Sequence, residues 1–357
     1  MNPMNRHKKI ACFTFWFPSH NNPRYTALFP KLDSLVQFYK VTFSRQRLIR
    51  ALQYRLWQAL KKPLIYPIVL RYLARRYHTL FTVDMHQIPA WPRPKSVIVD
   101  ADDPVYSSTE VRLLNLPQVK AIIVTTEKAK AIFQQLSVVN PIYVIPQGVS
   151  IDQIDLHKMR QIRTRFRRDT EIVVGYHAPT LTLSCDGPAR ARQGQDDLDF
   201  LFDAVKQARE MEPHITLWLF GEPSASVKKY TIGKSWIKLF GYVPFSDILN
   251  YVSNFDIGVY PRTWSPPPGR FSVKIAQFMA CRVPIVSTRV DEAFIVQKAR
   301  CGVVCDSQED FSRALVELAQ SPERRIELGN AGRMYAEANL DWSILVRRYE
   351  KILVEGP

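Results

Sequence analysis

The sequence predicts an α/β protein of two domains, each an open parallel sheet with helices on both faces. Three observations predict it. The chain has 357 residues, room for two or three domains at ~100–200 residues each. Short apolar runs alternate with helical patterns throughout the second half. The same rhythm, fainter, runs through the first half.

Strands of a parallel sheet covered on both faces read as near-continuous apolar runs. In the first half such runs fall at 10–17, 41–44, 80–83, 97–99, 122–125 and 143–145. In the second they fall at 172–176, 215–220, 236–240, 257–260, 284–287 and 302–305. Helical periodicity between them marks 196–210, 246–253, 272–280 and 310–319. A boundary is expected between 150 and 170, where a strand ends and a very basic stretch, 158–168, follows; we place it at 165/166. That stretch reads as a solvated helix or linker face. Two sheets facing a central cleft would bind ligand at the carboxyl ends of their strands.

Composition excludes several classes. With 46% hydrophobic residues the chain is not disordered. Five scattered cysteines with no C-x-x-C rule against a zinc ribbon or a disulfide framework and suit a reducing cytoplasm. No apolar run reaches the ~18–20 residues of a spanning helix. Arg6, Lys8 and Lys9 precede a short apolar stretch, but no small-residue cleavage site follows.

The net charge of +16 is unevenly placed. Residues 1–168 hold 27 Lys/Arg against 9 Asp/Glu; residues 169–357 hold 22 against 24. Between Asp33 and Asp84 lie ten Lys/Arg and no acid. Such a concentration points to an anionic partner. Within it Leu48, Leu52, Leu56 and Leu60 recur every four residues, with Trp57 beside them, while Arg47, Arg50, Tyr54, Gln58 and Lys61 share another side. This predicts an amphipathic helix with a basic face, broken by Pro63 and Pro67 and restarting over 68–77. Over 45–78 it reads as an ordinary domain helix or as an attachment to anionic lipid headgroups. Nucleic acid is the poorer match, since no zinc finger, basic zipper or aromatic RNA-binding motif is present.

Several residues could carry chemistry. Gly269 to Gln277 runs from a proline-rich loop into a helix whose first turn holds Ser272 and Lys274. A helix start favours an anion, and Arg270 with Lys274 could grip a diphosphate without a metal; a capped surface helix is the plainer reading. Asp100, Asp102 and Asp103 end a strand, where paired carboxylates hold a cation or pair with basic surroundings. His20, Asn21 and Arg24 follow the first strand and His86 the third, at the mouth of the expected cleft; neither histidine has a partner in view. Gly233-Lys-Ser235 imitates a phosphate loop, but Lys228 stands where its first glycine would be. There is no G-x-S-x-G and no H-E-x-x-H.

The second half resembles the nucleotide-sugar-binding domain of GT-B glycosyltransferases, specifically glycosyltransferase family 4 (group 1). The carrying phrases are residues 217–222, 237–244 and 255–261, and above all 272–287, which is similar to that family's "K-x-x-E-x-M-A-x-G-x-P-V-V". Val144-Ile-Pro-Gln-Gly-Val149 is similar to its "V-I-P-N-G-V". The resemblance covers residues 120–355 well and 1–119 in outline.

It implies a GT-B fold: two Rossmann-like domains, 1–165 for the acceptor and 166–338 for the donor, with a helix at 339–357 crossing back. It implies that Arg270, Lys274 and Arg192 meet the donor diphosphate, with Ser272, Gly221 and Glu222 beside it. Gly241, Tyr242 and Val243 meet the nucleobase. Gln277 stands where the family has the glutamate that binds ribose, and Gly269 where it has a second glutamate eight residues earlier. Retention of configuration, no metal and no cofactor beyond the nucleoside diphosphate sugar are also implied.

The expected function is therefore transfer of a sugar from a nucleoside diphosphate sugar to a lipid-linked or polysaccharide-type acceptor at a membrane surface. Arg270, Lys274 and His86 would be the catalytic residues, the first two stabilising the leaving group, and His20, Asn21, Arg24, Asp100 and Asp102 would lie with His86 on the acceptor side. The expected place is the cytoplasm, peripheral at the inner face of the cell membrane. The alternatives are a nucleotide-sugar epimerase or hydrolase on the same fold, or a degenerate protein that binds the donor without turnover.

Overall fold

The computed structural model describes residues 9–16, 23–42, 47–187, 197–264 and 267–355. His20, Asn21 and Arg192 lie outside them. The chain divides into two compact units: residues 1–147, 267–271 and 342–357 form the first, and 148–266 and 272–341 the second. The division at 147/148 precedes the expected 165/166. The reason is the helix Leu156–Phe166, whose contacts belong to the second unit. Asn250 accepts from the Asp155 amide at 2.8 Å, and Lys158 pairs with Asp247 at 2.7 Å.

The first unit is a six-stranded parallel sheet in the order β2-β1-β3-β4-β5-β6. Its strands are β1 Ile10–Trp16, β2 Val36–Thr42, β3 Thr79–Thr82, β4 Ser96–Asp100, β5 Val119–Val124 and β6 Ile142–Val144. Strand β2 lies earlier than 41–44 because it is an edge strand of alternating character. Val36 packs on one face, with Phe38 against it, and Tyr39 and Val41 pack on the other. Alternation separates the two cores in β1 as well. Ile10 and Cys12 join Phe29, Phe81 and the final helix, Trp342–Glu355; Ala11 and Phe13 join Trp57, Tyr66 and Leu70.

The basic segment departs from expectation. Pro63 and Pro67 do not end the helix. Helix α1 is Pro23–Lys31; α2, Arg47–Leu60, runs through a π-turn, Lys61–Ile65, into α3, Tyr66–Leu73. The faces are also exchanged. Trp57, Lys61, Tyr66, Leu70 and Leu73 are buried, whereas Leu52, Leu56, Leu64, Ile68 and Tyr72 are 50–70% exposed. An i+4 row on an uninterrupted α-helix drifts by roughly 40° per step, or about 200° over five steps. The extra residue of a π-turn takes back about 100° of that, so the row stays on one side.

The second unit is another six-stranded parallel sheet, β12-β11-β10-β7-β8-β9. Its strands are β7 Ile172–Leu181, β8 Ile215–Pro223, β9 Ile237–Gly241, β10 Ile257–Tyr260, β11 Ile285–Thr288 and β12 Gly302–Cys305. In both sheets the order of strand addition reverses once, in the first between β1 and β3 and in the second between β7 and β10. Such switch points open a crevice at the strands' carboxyl ends. Among the described residues no helix is long and apolar enough to cross a membrane.

Candidate functional site

In the second unit the switch point is occupied by Lys274, one residue inside the helix Val273–Ala280. Its ammonium lies 4.8 Å from the ring centroid of Tyr176 on β7 and 5.8 Å from that of Tyr260 on β10. It donates to the Tyr176 hydroxyl at 3.4 Å. Ser272 precedes the helix without capping it by its side chain, so the first-turn N–H groups are available to an anion. One turn on, Gln277 is 1% exposed and its Oε1 has no partner among the described residues. A buried amide oxygen without a donor costs about 1–3 kcal/mol, which a ligand hydroxyl would relieve.

Sequence reasoning missed the neighbours of this site. His177, next on β7, is buried edge-on to Phe278 at 5.5 Å. Burial, helped by the Lys274 charge, pushes its pKa down to about 3, so it is neutral. Arg262, just past β10, pairs with Glu292 at 2.7 Å, and its guanidinium lies 5.1 Å and 5.0 Å from the rings of Tyr260 and Trp264. Position after a strand was the available signal for both residues, but nothing local pairs Arg262 with Glu292. On the neighbouring strands Gly221 has φ +144°, and a Cβ there would stand 2.3 Å from the Ala178 carbonyl oxygen. Glu222 and Tyr242 are exposed, and Gly241 and Val243 are half-buried.

Arg270 and Gly269 belong to the first unit. Thr126, capping the helix Glu127–Gln135, donates to the Gly269 carbonyl at 2.7 Å, and Tyr106 to that of Pro268 at 2.7 Å. Arg270 Nε lies 3.6 Å from Asp103. Gly269 has φ +81°, and a Cβ would meet Tyr106 Oη at 2.7 Å and the Ala129 amide nitrogen at 2.8 Å. The place of the second glutamate is therefore one that only glycine fills without strain.

Three expected acceptor residues are corrected. Arg24, Asp100 and Asp102 are 1%, 1% and 7% exposed. Arg24 forks onto Asp100 at 3.2 and 3.3 Å and donates to the carbonyls of Ile145 and Pro146. Asp102 accepts from Gln147. Buried ions persist only when paired and hydrogen-bonded, and these are consumed by one another.

His86 is where a ligand could reach it. Its side chain is 40% exposed, and its Nδ1 lies 3.0 Å from Asp84 Oδ1, just past β3. Asp84 also accepts from Tyr66 at 2.6 Å and pairs with Lys61 at 3.6 Å. Burial works to raise its pKa, but Tyr66, Lys61 and His86 together hold it below the usual carboxylate range.

Two doubly wound parallel sheets in one chain, with a cation at a helix start over the second switch point, define the GT-B class of glycosyltransferase folds. Residues 187–321 match the family model described as glycosyl transferases group 1. The fold is that of HepE from Anabaena, solved with UDP (TM-score 0.72, 15% identity, 97% of this chain and 100% of that one). It is also that of WaaG, a glycosyltransferase involved in lipopolysaccharide biosynthesis (TM-score 0.65, 14% identity, 97% and 100%). By sequence the chain is 24% identical over 221 residues to a GDP-mannose-dependent monoacylated alpha-(1-6)-phosphatidylinositol monomannoside mannosyltransferase of Corynebacterium glutamicum. That alignment spans 60% of this chain and 56% of the relative's length.

Proposed function

We propose that the protein transfers a sugar from a nucleoside diphosphate sugar to a lipid-linked or polysaccharide-type acceptor. The observation that carries the reading is Lys274 over the β7/β10 switch point. It sits at an uncapped helix start, one turn from the unsatisfied amide oxygen of Gln277. The ammonium and the first-turn N–H groups would bind the diphosphate and stabilise the charge it gains as the glycosidic bond breaks. Gln277 would accept a ribose hydroxyl. Neutral His177 adds no charge to compete with the ammonium.

The acceptor side of the reading rests on the exposed row of the first unit. Leu52, Leu56, Leu64, Ile68 and Tyr72 stand among the exposed cations Arg55, Lys62, Arg71, Arg75 and Arg76. An apolar row flanked by cations suits an anionic bilayer surface, each Lys or Arg there contributing about 1 kcal/mol. A lipid-linked acceptor would be met at such a surface, on the cytoplasmic side.

Calorimetry with UDP-glucose and GDP-mannose, followed by assay of nucleoside diphosphate release, tests the reading. Lys274→Ala is expected to weaken binding of the recognised donor at least tenfold. No binding of any nucleoside diphosphate sugar would sink it. Binding with no turnover on any acceptor would leave a donor-binding protein that has lost catalysis.

A further inference from the structure

The basic stretch 158–168 and the segment around Gly233-Lys-Ser235, neither of which the donor site uses, come together on one edge of the second unit. Strand β9, which follows Ser235, is the outer strand of its sheet. The helix Ala225–Thr231 lies on one face beside it. Val227 joins the core of Leu217 and Leu219, and Tyr230 stacks on Phe202 at 4.3 Å. The helix Leu156–Phe166 lies on the other face. Phe166 meets Phe240 at 5.2 Å, on the side of Trp218 and Phe220, and its carbonyl accepts from Lys238 Nζ at 2.9 Å.

Residues 156–168 hold six Lys/Arg and residues 225–240 hold four, with no Asp or Glu in either stretch. Acids from elsewhere in the unit neutralise three of these ten. Lys158 pairs with Asp247 at 2.7 Å, Arg167 with Asp256 at 2.5 Å and Lys238 with Glu171 at 2.7 Å. Arg160, Arg163, Arg165, Arg168, Lys228 and Lys229 are exposed, and their side chains pair with no acid among the described residues. Cations gathered on one edge repel one another, and an anionic partner would relieve that repulsion.

The turn into β9 adds an apolar tip. Ile232 is 76% exposed there, and the turn is closed by the Lys234 amide donating to the Thr231 carbonyl at 3.1 Å. The neighbouring rings are already engaged: Tyr230 with Phe202, Phe166 with Phe240, and Trp236 with the Arg209 guanidinium at 5.5 Å. Single-stranded nucleic acid gains affinity by stacking bases on free rings and would have no use for an isoleucine. An anionic bilayer uses both kinds of group, cations among the headgroups and an apolar side chain beneath them.

We propose that the β9 edge of the second unit is a contact surface for an anionic bilayer. Ile232 enters the headgroup layer, and the exposed arginines and lysines on both sides of β9 meet lipid phosphates. The inference stands apart from the donor site, since β8 separates β9 from the switch-point strands. It needs nothing of the exposed row on α2 and α3.

The test places an environment-sensitive fluorophore on the full chain through Ile232→Cys, with Cys185→Ser removing the exposed native thiol. Its emission is expected to rise several-fold and shift to the blue with phosphatidylglycerol–phosphatidylcholine vesicles, and to stay unchanged with phosphatidylcholine alone. Quenching by a lipid-borne nitroxide should confirm entry into the headgroup layer. Adding Arg163→Glu with Lys228→Glu is expected to weaken the vesicle response roughly tenfold, at an unchanged melting temperature. An equal response on neutral vesicles, or an unweakened one in the charge-reversal variant, would overturn the inference. So would a response to heparin but not to anionic vesicles, which would make the edge a polyanion site. Flotation of the chain with no change at position 232 would assign membrane binding to α2 and α3 and overturn this inference by itself.

Discussion

The hydroxyl of Tyr349 donates to Asp100 at 2.7 Å across 249 residues of sequence. It also contacts Arg24, whose guanidinium lies 5.5 Å from the Tyr349 ring. The final helix is thereby fastened to the end of β4 by a fully buried ionic cluster. Removing one member leaves the others desolvated and short of a partner. Tyr349→Phe is expected to cost the first unit about 1–3 kcal/mol. Hydrogen exchange should show faster exchange in β4 and the final helix, with β7 to β12 unchanged; equal protection everywhere would contradict the role.

Restoring the family glutamate should not restore a better enzyme. At Gly269 the backbone is left-handed and Ala129 leaves no room for a Cβ. Gly269→Glu is expected to destabilise by about 1–3 kcal/mol and to lower turnover. A variant with raised activity and an unshifted melting temperature would show that the loop accommodates it.

His177 predicts an acid sensitivity. Its folded pKa is about 3, below the ~6.5 of an unfolded histidine, so below pH ~6.5 the unfolded chain takes up a proton that the folded one refuses. Stability attributable to this group is intact above pH ~6.5 and falls by up to about 1.4 kcal/mol per pH unit on acidification toward 3. His177→Gln should melt with a flatter pH dependence between 6 and 4. A parallel pair of curves would mean that His177 is protonated in the fold.

The exposed row predicts a surface-specific phenotype. Leu52→Glu with Ile68→Glu places charges on the outer side of α2 and α3, where both parent side chains are at least 60% exposed. Melting temperature is expected to hold, and flotation with anionic vesicles to fall several-fold. Flotation equal to wild type, or equal on neutral and anionic vesicles in the wild type, would reject the membrane contact.

The second unit was readable in the sequence for a physical reason. Its central strands are buried on both faces and so read as near-continuous apolar runs, and the helix start at Lys274 is contiguous in sequence. The first unit hid more. Asp100 and Asp102 stand at a strand end and Arg24 follows the first strand, as site residues do, and their partner Tyr349 is out of reach of any local pattern. The outward turn of Leu52 and Leu56 follows from the buried side chosen by Trp57 and Tyr66. No residue type announces a π-turn, so Lys61 read as part of the exposed basic face. Asp84 was visible two residues from His86, but only the short helix between them brings carboxylate and ring together.

Trp342, Leu345, Tyr349, Ile352 and Leu353 complete the core that β1, α1 and β3 begin. A ribosome makes those residues only after 148–341, the residues that hold the second unit. The first unit must therefore wait, with one face of its sheet covered only in part by α1, while the whole of the second is synthesised. Domains usually mature from the amino terminus as they emerge; here the second unit has all its parts first. The interval leaves the apolar side of that face which the final helix will cover open to water, which makes the nascent first half a natural client for chaperones.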